Sequence, residues 1–299
     1  MIATAPSENI ELMNRAAIKG RSLWDDSRRR LISNKAAMAG FIVLGFLVLI
    51  AVLGPFLWPH DFSKQYRELR EIPPTLENLH IFGTDIYGRD MVARVIMGLG
   101  VSLAVGAIAT LVSLVIGVAW GAIAGFAGGR IDQLMMRFVD VMYAMPFIFF
   151  VILVTVVFGR HIILIFLAIG AVEWMTMARI VRGQTLMLKQ KEFVEAARAA
   201  GVKPVGLVIR HILPNLLGPV AVYVTLTMPV VILQESFLSF IGLGVNEPLT
   251  SLGRLISEGQ KELGSPWMLF APAITMVVTL FSLNFIGDGL RDALDPKDR

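Results

Sequence analysis

The chain has 299 residues, of which 56% are hydrophobic and only 17% are charged, with a mean hydropathy of +0.70. Ordinary soluble domains carry about 25% charged residues, so this composition belongs to the membrane class rather than the soluble one. The absence of cysteine excludes a disulfide framework and a thiolate metal site, and an excess of 27 basic over 23 acidic residues in so apolar a chain does not predict nucleic-acid binding.

The predicted elements are transmembrane helices, because about 20 apolar residues cross a bilayer as a helix. An uncharged run begins at residue 36 and is longer than the apolar core of a secretory signal, which indicates a retained membrane anchor. The six predicted spans are residues 36–58, 100–125, 141–158, 162–180, 212–233 and 267–285. We therefore predict an all-α polytopic membrane protein with six transmembrane helices.

The placement of basic residues predicts the orientation of these spans. Of the 27 Lys and Arg residues, 19 lie in segments that share one side if the N-terminus is inside, namely 1–35, 127–138, 179–211 and 290–299. Cytoplasmic segments carry such an excess. We predict a cytoplasmic N-terminal segment (1–35), an outer loop (59–98), a five-helix core (99–289) with a cytoplasmic loop (183–215), and a cytoplasmic tail (290–299).

The cytoplasmic loop is long and polar, and its composition predicts two short helices. Residues 190–200 are rich in good helix formers, and Lys203-Pro204 can open a second helix that runs to Arg210. Gly201 permits the turn between them. Such a helical hairpin presents a surface that another protein can hold; alternatively, the segment is a solvated amphipathic connector.

This hairpin resembles the EAA loop of ABC-importer permeases, through which an ATPase subunit grips the membrane subunit. The resemblance rests on Glu195-Ala196-Ala197, on Gly201, and on I-L-P-N at 212–215. In that reading, the two alanines permit close approach of the partner and Glu195 caps the helix or pairs with a cationic group. The implied coupling residues are Glu195, Ala196, Ala197, Gly201, Pro204, Arg210 and Pro214.

Further motifs extend the resemblance over nearly the whole chain. The sequence G-T-D-I-Y-G-R-D at 83–90, the block at 235–244 and the block at 284–296 are similar to peptide-transporter permeases, and the segments at 20–30 and 178–186 are similar to the C-type permease of oligopeptide importers. The resemblance implies a type I ABC-importer permease core in the bacterial inner membrane. It also implies a homologous permease that completes a heterodimeric pore, two ATPase subunits that bind ATP and Mg²⁺, an extracytoplasmic peptide-binding protein, and a peptide substrate.

Three charged residues of the outer motif, Asp85, Arg89 and Asp90, have two interpretations. They contact the substrate-binding protein, or they belong to a turn-rich cap over the mouth of the helix bundle. In the second case they form exposed pairs among themselves, which contribute little free energy.

Two acidic residues lie in or beside predicted spans. Glu173 is inside the fourth span, where an acid costs about 2.5–3.5 kcal/mol on insertion scales, so it must face the bundle interior or water. It either lines the pathway and meets cationic groups of a peptide, or pairs with a neighbouring subunit or sits nearer the inner interface. Glu235 follows Pro219 and Pro229, which let the fifth span bend; it forms part of an outer gate or makes a structural pair at the helix end.

The sequence offers no enzyme site. None of its lysines is followed by Ser or Thr, so the phosphate loop G-x-x-x-x-G-K-[ST] is absent, and its four histidines are scattered without a metal-binding spacing. We therefore expect a non-catalytic subunit that binds no cofactor or metal. The alternatives are a self-contained secondary transporter or channel, which would show internal repeats, or the same importer machine with a dipeptide, nickel or glutathione cargo.

Overall fold

A computed structural model describes residues 23–159 and 161–294 of the protein. The part of the predicted cytoplasmic N-terminal segment before residue 23 and the end of the predicted tail, 295–299, lie outside the described residues. Within the described ranges the chain is helical and contains no strand, only one isolated bridge between Thr84 and Asp90. The prediction of an all-α protein is therefore confirmed.

Eleven α-helices follow one another along the described ranges, with a 3₁₀ turn at Glu77–Leu79 and a π turn at Val208–Ile212. They are α1 (Leu23–Ser33), α2 (Lys35–Leu57), α3 (Met91–Ala127), α4 (Gly129–Tyr143), α5 (Phe147–Phe158), α6 (Ile162–Leu188), α7 (Glu192–Ala199), α8 (Pro204–Leu207), α9 (Leu213–Phe240), α10 (Leu252–Gly259) and α11 (Trp267–Leu294).

Five long helical segments are apolar enough to cross a membrane: α2, α3, α6, the stretch Pro204–Phe240 and α11. They contain five of the six predicted spans. The remaining predicted span, 141–158, falls on α4 and α5, which meet at an angle of 83° and count together as at most one broken span. Pro146 separates them, since proline disfavours a helical conformation in the residue before it.

The most extensive helix–helix packing in the described residues is between α3 and α6. Three glycines spaced four residues apart, Gly117, Gly121 and Gly125, lie on one face of α3 against the backbone of α6. A Cβ atom on Gly121 would lie only 2.4 Å from the carbonyl oxygen of Ala178. The glycine-rich stretch of α3 thus permits the two helices to approach closely.

The buried apolar residues form clusters stacked along the bundle. One cluster lies under the loop 59–90 and includes Met91 and Leu252, a second lies at mid-height and includes Ile169, and a third includes Val181 and Val194 under the loop 189–203. Large apolar side chains on the outer faces of α2 and α5 are exposed, as expected for helices that contact lipid.

Candidate functional site

The loop between α6 and α9 folds into the predicted helical hairpin. Helix α7 is followed by a turn at Gly201, then by α8, and the π turn joins α8 directly to α9. A π turn is a local widening of a helix and is frequent at functional sites. The hairpin is therefore continuous with one of the long spans and not a separate flexible loop.

Gly201 ends α7 in a left-handed conformation, with φ of +81°. The amide of Gly201 donates to the carbonyl of Arg198 at 3.0 Å, and the amide of Val202 donates to the carbonyl of Ala197 at 3.1 Å. These two hydrogen bonds form a Schellman motif, in which glycine is the preferred residue because it has no Cβ. The role predicted for Gly201, to permit the turn, is thus seen in the backbone.

One face of the hairpin is fixed to the membrane helices. Val194 of α7 is 0% exposed and Leu207 of α8 is 2% exposed, and both pack in a cluster with Ala122, Val181 and Leu216. These partners belong to α3, α6 and α9. A force applied to the hairpin therefore acts directly on three long helices.

The other face of the hairpin is exposed and carries most of the predicted coupling residues. Ala197 is half-buried, whereas the exposed members are Glu195, Ala196, Gly201, Pro204, Arg210 and Pro214. Three large apolar side chains lie exposed on the same segment: Phe193, Val205 and Ile209. Apolar side chains clustered among charged ones are typical of a surface that docks another protein.

Glu173 is half-buried within α6 and contacts α9. Its Oε1 accepts a hydrogen bond of 2.7 Å from Nε2 of Gln234. The Oε1 of Gln234 is buried and has no hydrogen-bond partner in the part of the chain that the structure describes. This polar pair between two long helices is compatible with either interpretation of Glu173, and its place in a pathway stays a prediction.

Glu235 is 0% exposed and is held by hydroxyl groups. Its two carboxylate oxygens accept from Ser239 at 2.7 Å and from Ser102 at 3.4 Å. Ser239 also contacts Ser251, which begins α10, and Ser102 accepts from the amide of Leu252. The network joins α3, α9 and α10, so the geometry favours the structural alternative over a gate that opens to the pathway.

The outer motif is buried, which corrects the expectation of exposed pairs. Asp85 is 0% exposed, Arg89 5% and Asp90 0%. The Oδ2 of Asp85 accepts from Nε of Arg89 and from Nη1 of Arg94, both at 2.6 Å. Arg94 also contacts Glu258 at 2.9 Å. The charges are buried because Arg94, in the first turns of α3, and Glu258, far along the chain in α10, pack against them, and together they close the cap over the bundle.

The electrostatics of this cap are those of a mutually stabilised cluster. Burial alone would lower the pKa of Arg89, but the nearby carboxylates of Asp85 and Glu247 outweigh it, so the pKa is raised. Burial likewise opposes ionisation of Glu258, yet Arg94 and Arg254 outweigh it and its pKa is lowered. Both groups are therefore held in their charged forms. A direct contact of Asp85, Arg89 or Asp90 with a binding protein stays a prediction, and exposed Tyr87 is the accessible neighbour.

Asp90 has a second set of partners in the loop 59–90. Its Oδ1 caps α3 by accepting from the amide of Ala93 at 2.7 Å and also accepts from Nε1 of Trp58 at 2.9 Å. Its Oδ2 lies 2.8 Å from Nδ1 of His80, whose ring stacks on His60. This histidine pair is not predictable from the sequence, because nothing in the spacing of the four histidines indicates that two of them are neighbours.

A second feature missed from the sequence lies between α4 and α6. Arg182 forms a bidentate pair with Asp132, with N–O distances of 2.5 and 2.6 Å, and Arg179 pairs with Asp140 at 2.9 Å. A cavity of about 750 Å³ lies beside these pairs. Bidentate pairs fix orientation, so they hold the amphipathic helix α4 against α6. Both arginines belong to the sequence motif at 178–186, so the motif was the one sequence signal that marked them.

Comparison with known proteins adds to these observations. Residues 117–299 match the family described as binding-protein-dependent transport system inner membrane component, and residues 22–74 match the N-terminal TM domain of oligopeptide transport permease C. The chain is similar to the oligopeptide transport system permease protein OppC of Escherichia coli strain K12, with 51% identity over 301 residues covering 100% of each chain. It is 50% identical over 283 residues to the protein of the same name from Haemophilus influenzae, covering 94% of this chain and 91% of the relative.

A solved structure shows the same fold. A chain from the MetNI methionine ABC transporter in an inward-facing conformation superposes with a TM-score of 0.55 at 20% identity, covering 69% of this chain and 98% of that chain.

Proposed function

Because the chain belongs to the family of binding-protein-dependent transport system inner membrane components, we propose that it is the permease subunit of an ATP-driven oligopeptide importer. Relatives that match over nearly their whole length and are named as oligopeptide permeases support this function, as does a fold shared with an ABC importer. The family resemblance predicted from the motifs is confirmed. These relatives give no support to the alternative of a self-contained secondary transporter or channel.

The observation that carries the mechanism is the hairpin of α7 and α8, which has one anchored face and one exposed face. Val194 and Leu207 tie it to α3, α6 and α9, and the exposed Glu195 and Val205 are free to meet another protein. Movement of an ATPase against the exposed face is transmitted through the anchored face to the long helices. The cavity between permease halves then alternates between outward-facing and inward-facing states.

The partners of the chain follow from the two faces of the hairpin. A permease of an ABC importer works with ATPase and substrate-binding proteins in general. For this chain the proposal is more specific: two ATPase subunits bind ATP and Mg²⁺, a homologous permease supplies the other half of a heterodimeric pore, and an extracytoplasmic binding protein delivers the peptide. The chain itself carries out no catalysis.

The position in the membrane completes the proposal. The protein is a multi-span component of a bacterial inner membrane. Both termini and the hairpin face the cytoplasm, in agreement with the distribution of Lys and Arg. Glu173 then lies within the bilayer, beside Gln234, where its carboxylate can meet the amino terminus or a cationic side chain of a peptide.

Copurification tests the coupling surface. Val205 is 69% exposed, so V205D does not disturb the core but places a charge in the proposed ATPase contact. We expect the ATPase subunits to be lost from the purified assembly. Leu263 is 85% exposed between α10 and α11, in the segment between the fifth and sixth predicted spans, which the proposed orientation places outside; L263D is the matched control that retains the ATPase subunits. Retention of the ATPases by V205D would contradict the assignment of this face.

A further inference from the structure

The loop 59–90 brings two histidines and a buried aspartate together. One potential ligand atom from each of His60, His80 and Asp90 lies within 4.8 Å of the others. The two imidazole rings stack with centroids 4.4 Å apart. The sequence predicts no metal site here, because these residues are 20 and 10 positions apart in an irregular segment. Folding makes them neighbours.

The hydrogen bonds define which ring nitrogens carry protons. Nδ1 of His80 faces Oδ2 of Asp90, which can only accept, so Nδ1 is the protonated nitrogen and Nε2 carries the lone pair. Nε2 of His60 lies 2.7 Å from the carbonyl oxygen of Asn78, which also only accepts, so the lone pair of His60 is on Nδ1, beside the Tyr66 hydroxyl. Each ring is therefore oriented with one nitrogen ready to bind a cation.

The lone pair of His80 is the unexplained feature of this cluster. His80 is 1% exposed, and its Nε2 has no hydrogen-bond partner within 23–159 and 161–294. A buried acceptor without a partner is costly, by about 1–3 kcal/mol. The carboxylate behind the ring is the usual support of a metal-binding histidine, because it fixes the tautomer and makes the ring more basic.

We propose that His60 and His80 bind a divalent transition-metal ion, Zn²⁺ or a similar borderline cation, with Asp90 orienting His80 and supplying negative charge. Imidazole nitrogen is a preferred ligand of such ions, at about 2.0–2.1 Å for Zn²⁺. The ring of His60 is half-buried and turns out of the stack to share the ion, exchanging its contact with Tyr66 for the metal. A cavity of about 100 Å³ is lined by His60 and Trp58, so the ring of His60 has open space beside it.

The bound ion would cross-link two segments of the chain on the outer side of the protein. The ion joins the chain just after α2, through His60, to the loop segment that precedes α3, through His80. Asp90 also caps α3, so this cross-link fixes the beginning of that helix. The site is structural and separate from peptide transport, so its failure leaves the proposed function intact.

Zinc titration of the full-length chain in lipid nanodiscs, carried on a histidine-free tag, tests the site. We expect one tight Zn²⁺ per chain in competition with a chelator, and a Tm that rises with Zn²⁺. H60A, which removes a half-buried ring, lowers the affinity at least tenfold. H161A replaces an exposed histidine elsewhere and is the matched control, with unchanged affinity.

D90N separates a metal site from a purely structural histidine. An asparagine Oδ1 keeps the bonds to Ala93 and Trp58, so the helix cap survives, but its amide then faces Nδ1 of His80 as a donor. The proton of His80 moves to Nε2 and the lone pair that binds the metal is lost. We expect affinity to fall about 10–100-fold. The absence of saturable binding in the wild type, or equal binding by wild type and H60A, would overturn the proposal.

Discussion

Replacing Gly201 with alanine tests whether the geometry of the hairpin sets coupling. The residue has φ of +81°, and apart from Gly201 and its two chain neighbours no described residue has a heavy atom within 4 Å of a Cβ placed there. The cost of G201A is therefore conformational and not steric, about 1–2 kcal/mol for an L-residue in the left-handed region. Where the packing of the hairpin against α3, α6 and α9 is only marginally stable, this cost lowers the population of the packed hairpin by up to about 5–30-fold. The apparent affinity for the ATPase then falls by the same factor.

Two matched variants isolate the cause. G201N keeps a residue that tolerates the left-handed conformation, so most of the coupling is retained. Gly183 in α6 also has open space for a Cβ but no positive φ, so G183A has no such cost. The assays are peptide uptake in proteoliposomes with the ATPase subunits, and hydrogen exchange of the α7 and α8 amides. Normal uptake and protection in G201A, or equal loss in G201N and G183A, would refute the reasoning.

Three further outcomes are expected. G121V places a branched side chain against the α6 backbone, where a Cβ already lies 2.4 Å from a carbonyl oxygen, and lowers Tm sharply, whereas G45V, with open space in α2, leaves Tm unchanged. Because the pKa of Glu258 is lowered, its ionised form stabilises the folded protein fully above pH 4.5, and this stabilisation is lost as the pH falls from 4.5 through the lower folded pKa. E258Q or R94M should therefore make the free energy of unfolding depend less on pH in that range. An unchanged pH dependence in these variants would exclude this cluster as a cause of acid unfolding. E173Q should change the preference among cationic peptides in uptake competition, and an unaltered profile would remove this residue from the pathway.

Much of the fold is predictable from the sequence because its signals are local. Uninterrupted apolar runs give the long helices, and the helix formers followed by Gly201 give the hairpin. The size of the bend between α4 and α5, 83°, is not predictable from composition, because apolar residues continue across it. Length and hydropathy identified a span there, whereas Pro146 and the charged residues of α4 were the signals of a break.

The polar clusters were less predictable because their partners are distant in the chain. Arg89 donates a hydrogen bond to Glu247, which is 158 residues away in the chain. The motif at 83–90, which the sequence predicts to be an exposed turn, is therefore part of a buried cluster. His60 and His80 come together through an irregular loop that has no periodicity. The sequence identifies the charged and ligating residues but not the neighbours that determine their burial.

Cysteine labelling measures the central claim most directly, since the natural chain contains no cysteine. A single cysteine at Ala196, on the exposed face of α7, is compared in cells with one at Leu263, in the segment between α10 and α11 that the account places outside. We predict that a membrane-impermeant reagent labels position 263 in intact cells, and position 196 only in inverted vesicles stripped of the ATPase subunits. Position 196 should also cross-link to an ATPase subunit when that subunit is present. Labelling of position 196 from outside intact cells, or its failure to be protected by the ATPase, would contradict the account.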